Sequence, residues 1–130
     1  MGKASVSSLK KKADKVFSQF VRLRDSDSNG YLDCITCGKN LHYKQAHAGH
    51  FVSRRVNVLR YEPLNVNGQC ATCNTYNQGE QYAYSKALDM KYGVGTADSL
   101  HKRRFETHKF TVGELEELIE EYKDKVKEEL

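Results

Sequence analysis

The sequence predicts a small α+β domain in which a zinc site braces a hairpin and a helix, with a further helix at each end. Three observations support this fold: 130 residues of which 38% are hydrophobic, two Cys-x-x-Cys pairs in the middle of the chain, and amphipathic helical patterns at both ends. A chain of this length builds one modest core. We therefore expect a single domain over residues 1–130.

The first predicted element is a basic amphipathic helix over residues 8–24, with Ser8 as its cap. Apolar residues recur in it at steps of three and four, the spacing of one helix face. Six lysine and arginine residues occupy the other face, which either is solvated or contacts phosphate. The cluster Asp25-Ser-Asp-Ser-Asn-Gly30 is predicted to end this helix as a turn.

The predicted core lies between residues 31 and 93. Within it we expect a knuckle at residues 31–38, a hairpin strand at residues 45–53 and a helix over residues 76–92 that ends at Gly93. Beyond the core, Thr96 is predicted to cap a short helix over residues 97–104.

The last predicted element is an acidic amphipathic helix over residues 111–130, which starts with the capping box Thr111-x-x-Glu114. Residues 112–130 hold eight acids and three lysines, a net charge of −5, which leaves +9 over residues 1–111. The acidic face either is solvent-exposed or meets the basic part of this chain or of a second subunit. The basic part favours a polyanionic partner, most commonly nucleic acid.

The two cysteine pairs predict one structural zinc site, formed by Cys34, Cys37, Cys70 and Cys73. Zinc prefers four soft ligands in a tetrahedron, and a closed shell of four thiolates leaves no position for water or substrate. Four unrelated buried or redox cysteines are the alternative. No apolar run approaches a membrane span, and the polar start carries no apolar leader, so we expect a cytoplasmic protein with no membrane contact.

The residues around these pairs resemble a known family, the phage NinG/Rap recombination proteins. The resemblance covers about residues 8 to 105, and its motifs are Cys34-x-x-Cys37, Ala46-His-Ala-Gly-His-Phe-Val-Ser-Arg54, Leu59-Arg-Tyr-Glu-Pro-Leu-Asn65, Gln69-Cys-Ala-Thr-Cys-Asn74 with Gly79, and Tyr92-Gly93. The Cys-x-x-Cys-Asn motif is also similar to that of phage endonucleases that resolve Holliday junctions. The resemblance implies a member of the HNH, or ββα-metal, nuclease superfamily with a treble-clef core.

The implied activity is metal-dependent endonucleolytic cutting of branched DNA such as Holliday junctions, D-loops and flaps. His50 is the expected general base, because a neutral imidazole can deprotonate water. Asn74 and His47 are the expected ligands of a catalytic Mg²⁺ or Mn²⁺ ion, and Asn65 is expected to brace the loop that orients the base. In the wider superfamily the residue before the base is commonly a ligand, but here it is Gly49.

Alternatives to these assignments remain. Asn74 could be a helix cap and not a metal ligand, and His47 could be a surface histidine. His42, His101 and His108 have no partner at motif spacing. The competing function is a non-catalytic zinc module that binds nucleic acid or bridges the proteins of a recombination complex, and a nuclease of linear duplex or RNA would share the same site.

Basic residues between positions 39 and 60 are expected to contact the phosphates of branched DNA, without reading its sequence. These are Lys39, Lys44, Arg54, Arg55 and Arg60. Expected protein partners are phage or host recombination proteins. A homodimer is plausible, since resolving a four-way junction needs two incisions and the amphipathic terminal helices offer apolar faces.

Overall fold

A computed structural model describes residues 4–130. Residues 1–3, which belong to the polar start of the chain, lie outside the described residues. The mixed α+β architecture agrees with the predicted class. Its elements in chain order are α1 (Val6–Arg24), β1 (Tyr31–Asp33), β2 (Asn40–His42), β3 (His47–His50), α2 (Asn57–Arg60), β4 (Val66–Gln69), α3 (Gln81–Tyr92), α4 (Thr96–Lys102) and α5 (Val112–Glu129). Across residues 4–130, no helix combines the length and apolar character needed to cross a membrane.

Helix α1 begins two residues earlier than the sequence predicts, and its cap is Ser5 rather than Ser8. The Ser5 hydroxyl oxygen accepts from the backbone N–H of Ser8 at 3.0 Å. The Ser8 hydroxyl already donates to the Ser5 carbonyl oxygen, as a residue inside the first turn does. The prediction of Ser8 as the cap was therefore wrong.

The two terminal helices pack against each other and form the largest part of the core. Leu9, Ala13 and Phe17 of α1 are buried in one cluster with Leu115 and other residues of α5. The Phe17 and Tyr122 rings meet edge to face, with centroids 4.9 Å apart. Because each apolar face covers the other, these faces are not available for the predicted dimer, and that argument for dimerisation was wrong.

The acidic face of α5 points away from α1 and is exposed to solvent. Solvent exposure was one of the two arrangements expected for this face. Lysines of the same helix pair with this face, as Lys125 does with Glu121 at 3.3 Å. Thr111 caps α5 as predicted, accepting from the N–H of Glu114 at 3.1 Å. The Glu114 carboxylate contacts His108 instead of returning to Thr111, so only half of the capping box forms.

The strands form two short antiparallel sheets of two strands each. Strand β1 pairs with β2, with Leu32 opposite Leu41. Strand β3 pairs with β4, with His47 opposite Gln69 and His50 opposite Val66. The predicted strand over residues 45–53 is therefore shorter than expected, because the chain turns away after His50.

The helix predicted over residues 76–92 starts five residues late. Residues Thr72–Tyr76 form a π-helical turn, and α3 starts only at Gln81. Between them Gly79 and Glu80 have φ angles of 83° and 52°, a left-handed conformation that no helix continues through. Further on, α4 begins at Thr96 itself with Gly95 as its cap, so Thr96 is not the cap.

Candidate functional site

The four cysteines converge on one point, as their spacing predicts. Cys34 and Cys37 lie on the turn between β1 and β2, and Cys70 and Cys73 lie where β4 runs into the π-helical turn. All four Sγ atoms lie within 4.8 Å of one another. The Sγ atoms of Cys37 and Cys70 are 3.7 Å apart, close to the edge of about 3.8 Å of a tetrahedral zinc-thiolate shell. The donor set therefore fits a metal such as zinc, in a structural role.

His50 is held by a backbone carbonyl, which determines which of its two ring nitrogens carries the proton. Its Nε2–H donates to the carbonyl oxygen of Arg60 at 2.9 Å. Arg60, which supplies this carbonyl, is the last residue of α2. Burial, followed by the positive charges of Arg60 and Arg54, lowers the pKa of His50 below its usual value. A neutral His50 with Nε2–H keeps the lone pair of Nδ1, which makes no hydrogen bond within the described chain.

Asn74 and His47 contact each other. Asn74 lies in the π-helical turn rather than at the start of a helix, which corrects the predicted position. Its Nδ2–H donates to His47 Nδ1 at 3.0 Å, and its Oδ1 has no hydrogen bond within residues 4–130. Adjacent ligands of an octahedral Mg²⁺ ion are also about 3 Å apart, and a half turn of the amide exchanges its nitrogen and oxygen. The two side chains therefore lie at the spacing of neighbouring metal ligands.

One cavity of about 340 Å³ brings His50 and Asn74 together. Strand β3 and the π-helical turn form one side of it, and helix α1 forms the other. The residues that line the cavity are Asp14, Phe17, Ser18, Ala48, His50, Arg54, Arg60 and Asn74. The general base and the amide ligand expected from the sequence thus face one solvent-accessible space.

Asn65 does not reach this cavity, because its side chain is fully buried. Its Oδ1 accepts from the N–H of Val52 at 2.8 Å, and its Nδ2 donates to the carbonyl oxygens of Val52 and Leu59, each at 3.0 Å. These three bonds tie the start of the loop after β3 to α2, which carries the carbonyl that holds His50. Asn65 is therefore placed as a brace and not as a group that touches substrate.

The predicted phosphate contacts do not lie on one surface. Lys39 and Lys44 line a second cavity of about 580 Å³ beside the β1–β2 hairpin. Arg54 lines the cavity of His50, and Arg55 is exposed. The two cavities flank the π-helical turn, since Thr72 lines one and Asn74 the other.

Arg60 is not a free cation. Its Nε and Nη2 atoms donate to the two carboxylate oxygens of Asp14 at 2.8 and 2.5 Å. This bidentate pairing raises the pKa of Arg60. Its contact with phosphate stays a prediction, and a phosphate would have to share the guanidinium with Asp14.

Asp14 itself was missed by sequence reasoning. It lies in the cavity wall formed by α1, among residues that looked like a solvated basic face. One signal could have indicated it: Asp14 is the only acid in the first 24 residues, and it is surrounded by Lys10, Lys11, Lys12 and Lys15.

The fold and the cysteine cluster define a small α+β protein with a site for a metal such as zinc. Comparison with known proteins then gives the family: the chain belongs to the NinG family, since the model described as "Bacteriophage Lambda NinG protein" matches residues 3–129. The resemblance to NinG proteins is thereby confirmed.

Curated relatives agree with this membership. The protein ninG of Salmonella phage P22 is 32% identical over 122 residues, which cover 91% of this chain and 56% of that relative. The protein ninG of Escherichia phage lambda is 30% identical over 119 residues, which cover 91% of this chain and 55% of that relative. The chain thus spans about half the length of these relatives. No solved structure matches the chain.

Proposed function

We propose that this NinG-family chain is a metal-dependent endonuclease of the HNH, or ββα-metal, superfamily that cuts branched DNA. The observation that carries the proposal is the cavity shared by His50 and Asn74. It pairs an imidazole with a free Nδ1 lone pair and an amide with a free oxygen, and a module that only binds DNA needs neither group there. The basic part of the chain, net +9 over residues 1–111, suits a polyanionic substrate.

The chemistry follows from how His50 is held. Hydrolysis of a phosphodiester needs a base that removes a proton from the attacking water. His50 accepts this proton at Nδ1, while Nε2–H stays bonded to the Arg60 carbonyl and fixes the plane of the ring. The lowered pKa keeps the imidazole neutral near pH 7 and ready to accept the proton.

His47 and Asn74 would hold the catalytic ion, Mg²⁺ or Mn²⁺. When bound, such an ion neutralises charge on the phosphate and on the leaving 3′ oxygen. Arg54 lies at the same cavity and is exposed, so its guanidinium is available to a phosphate of the substrate. Branched recombination intermediates are the proposed substrate, as the family resemblance implies.

Cleavage assays with defined substrates test the proposal. Synthetic four-way junction, flap and linear duplex are incubated with the protein in Mg²⁺ or Mn²⁺, alongside His50→Ala and Asn74→Ala. We expect cutting of the branched substrates with 5′-phosphate and 3′-hydroxyl ends. Omission of both ions or either substitution should lower the rate while junction binding persists, and for His50→Ala the loss should be at least about 100-fold, the usual effect of losing a general base.

Matched controls separate chemistry from folding. His101→Ala and Asn77→Ala remove the same side chains from exposed positions and should leave cleavage unchanged. If His50→Ala cleaved as fast as the parent, the proposed mechanism would be rejected. Junction binding without cleavage by the parent in either ion would instead support a non-catalytic nucleic-acid-binding module.

A further inference from the structure

A carboxylate on the N-terminal helix reaches the cavity of His50. Asp14 lies on α1, outside the segment of hairpins and cysteines, and its side chain is about one quarter exposed. It is 46 residues from Arg60 in the chain, yet it makes a bidentate ion pair with the Arg60 guanidinium. A third side chain fixes the carboxylate, because the Tyr61 hydroxyl lies 2.9 Å from Asp14 Oδ1 and donates to it.

The same guanidinium also holds the local backbone. Nη1 of Arg60 donates to the carbonyl oxygen of Arg54 at 3.1 Å, across the loop between β3 and α2. The Arg60 side chain is only 13% exposed and uses all three of its nitrogens, Nε, Nη1 and Nη2. The position of residue 60 is thus fixed from two sides, by α1 and by the preceding loop.

Residue 60 is also the residue whose carbonyl binds His50. The Arg60 carbonyl oxygen accepts from His50 Nε2–H at 2.9 Å. A continuous path therefore runs from the Asp14 carboxylate through the Arg60 side chain and backbone to the imidazole. Partners one step removed from a histidine commonly set its tautomer and ring orientation.

We infer that Asp14 is a positioning residue, which acts through Arg60 to hold His50 in the Nε2–H tautomer with Nδ1 free. This inference rests on the proposed nuclease function for its catalytic meaning. It makes α1 part of the active site instead of a flanking support. Asp14 hydrogen-bonds to Arg60 and Tyr61 rather than to the imidazole or the expected ion ligands, so it positions the base and is not itself catalytic.

Removal of the charge at constant shape is the direct test. In Asp14→Asn the amide can accept only one of the two Arg60 donors, so residue 60 loses its bidentate anchor. We expect kcat on four-way junction to fall about 10- to 100-fold, as for other changes one step from a reacting group. KM should stay within about twofold, because a carboxylate paired with Arg60 offers the substrate phosphates no favourable contact. A purely structural role would lower the amount of folded protein but not the kcat of the folded fraction.

A nuclear magnetic resonance measurement reports the positioning without any cleavage. In the parent, ¹⁵N shifts of the His50 ring should show one tautomer with the proton on Nε2. In Asp14→Asn we expect a mixture of the two tautomers. Asp14→Glu keeps the charge and should restore the single tautomer at least in part, and Arg60→Lys should resemble Asp14→Asn because an ammonium cannot bind bidentately.

Asp98→Asn is the matched control, since Asp98 is an exposed acid that pairs with Lys102 on α4. It should change neither kcat nor the His50 ring shifts.

A folded Asp14→Asn with parental kcat and an unchanged tautomer would overturn the inference. If the parent proved unable to cleave, the tautomer shifts alone would decide whether Asp14 positions His50, and the failure would then belong to the proposed nuclease function. Should Asp14→Asn not fold, Asp14→Glu and Arg60→Lys carry the same comparison.

Discussion

Gly49 lies against the side chain of Gln69 so closely that position 49 has no room for a Cβ atom. A Cβ there would meet Gln69 Oε1 in a clash and would lie 2.9 Å from Cδ and 3.1 Å from Cβ of Gln69. Gln69 cannot easily move, because its Nε2 donates to the Thr36 hydroxyl at 3.1 Å and to the Gly79 carbonyl at 2.9 Å. The residue before the expected base is therefore glycine for a steric reason, and the nearest histidine on the same face of β3 is His47.

Gly49→Ala should lower the free energy of unfolding by about 1–3 kcal/mol, the usual cost of an extra methyl group in a packed site. Urea unfolding of parent and variant measures the difference. Gly113→Ala is the control, since a Cβ there meets nothing within 4 Å and the residue lies in α5. That change should stabilise the protein by about 0.5–1 kcal/mol. Equal stability of Gly49→Ala and the parent would show that Gln69 yields to the new methyl group.

Zinc should be required for the native fold. We expect one zinc ion per purified chain by elemental analysis, and a strong chelator or Cys73→Ser should lower the unfolding midpoint sharply. Structural zinc contributes about 10–16 kcal/mol of binding free energy that is coupled to folding in small domains, so losing one thiolate should cost several kcal/mol. Thr72→Ala, one residue away and exposed, is the control. A zinc-free protein whose unfolding midpoint ignores the chelator would contradict this assignment.

Local signals in the sequence predicted the parts of the fold that depend on neighbouring residues. The Cys-x-x-Cys spacing predicted the cluster, and the Thr111 cap and the apolar stripe of α5 follow directly from short-range patterns. The pairing of Asp14 with Arg60 has no such signal, because it depends on how α1 packs across β3, which only the tertiary structure decides. The late start of α3 was hidden for another reason: residues 76–92 keep a helical pattern, while the left-handed Glu80 interrupts the backbone.

Asn65→Ala should destabilise the protein rather than remove a reacting group. The substitution leaves three buried backbone groups, two on Val52 and one on Leu59, without their partner. Each unpaired buried polar group costs about 1–3 kcal/mol, with partial relief from water or relaxation, so we expect a loss of about 2–4 kcal/mol in urea unfolding. Asn77→Ala removes an exposed amide and should change stability by less than about 0.5 kcal/mol. Parental stability of Asn65→Ala would contradict the bracing role.

Lys39 and Lys44 should contribute to DNA affinity but not to the chemical step. Both line the cavity beside the β1–β2 hairpin, away from His50. In the double variant Lys39→Ala/Lys44→Ala, the slope of log affinity against log salt concentration should become shallower by about 2, because each lysine that no longer neutralises a phosphate removes about one unit. Fluorescence anisotropy with labelled four-way junction measures this slope. Lys123→Ala/Lys125→Ala makes the same charge change on acidic α5 and should leave the slope unaltered; an equal effect of both pairs would indicate only a long-range effect of net charge.

Stability should depend on pH through His50 in a defined direction. Burial, with the charges of Arg60 and Arg54, lowers the pKa of His50 in the folded protein, although the hydrogen bond to the Arg60 carbonyl and the Asp14 carboxylate oppose this. In the unfolded chain the imidazole binds a proton near its ordinary pKa of about 6.5. The unfolded state therefore binds more protons just below that pH. This contribution is complete above about pH 6.5 and is lost as the pH falls toward the folded pKa.

His50→Gln isolates this contribution from that of the cysteine cluster, which loses metal in acid in both proteins. A glutamine amide can still donate to the Arg60 carbonyl but does not titrate. We expect the parent to lose more unfolding free energy than His50→Gln between pH 7 and about pH 5, measured by urea unfolding at several pH values. His101→Gln, at an exposed position, should follow the parent. If parent and His50→Gln showed parallel curves, the pKa of His50 would be the same in the folded and unfolded states.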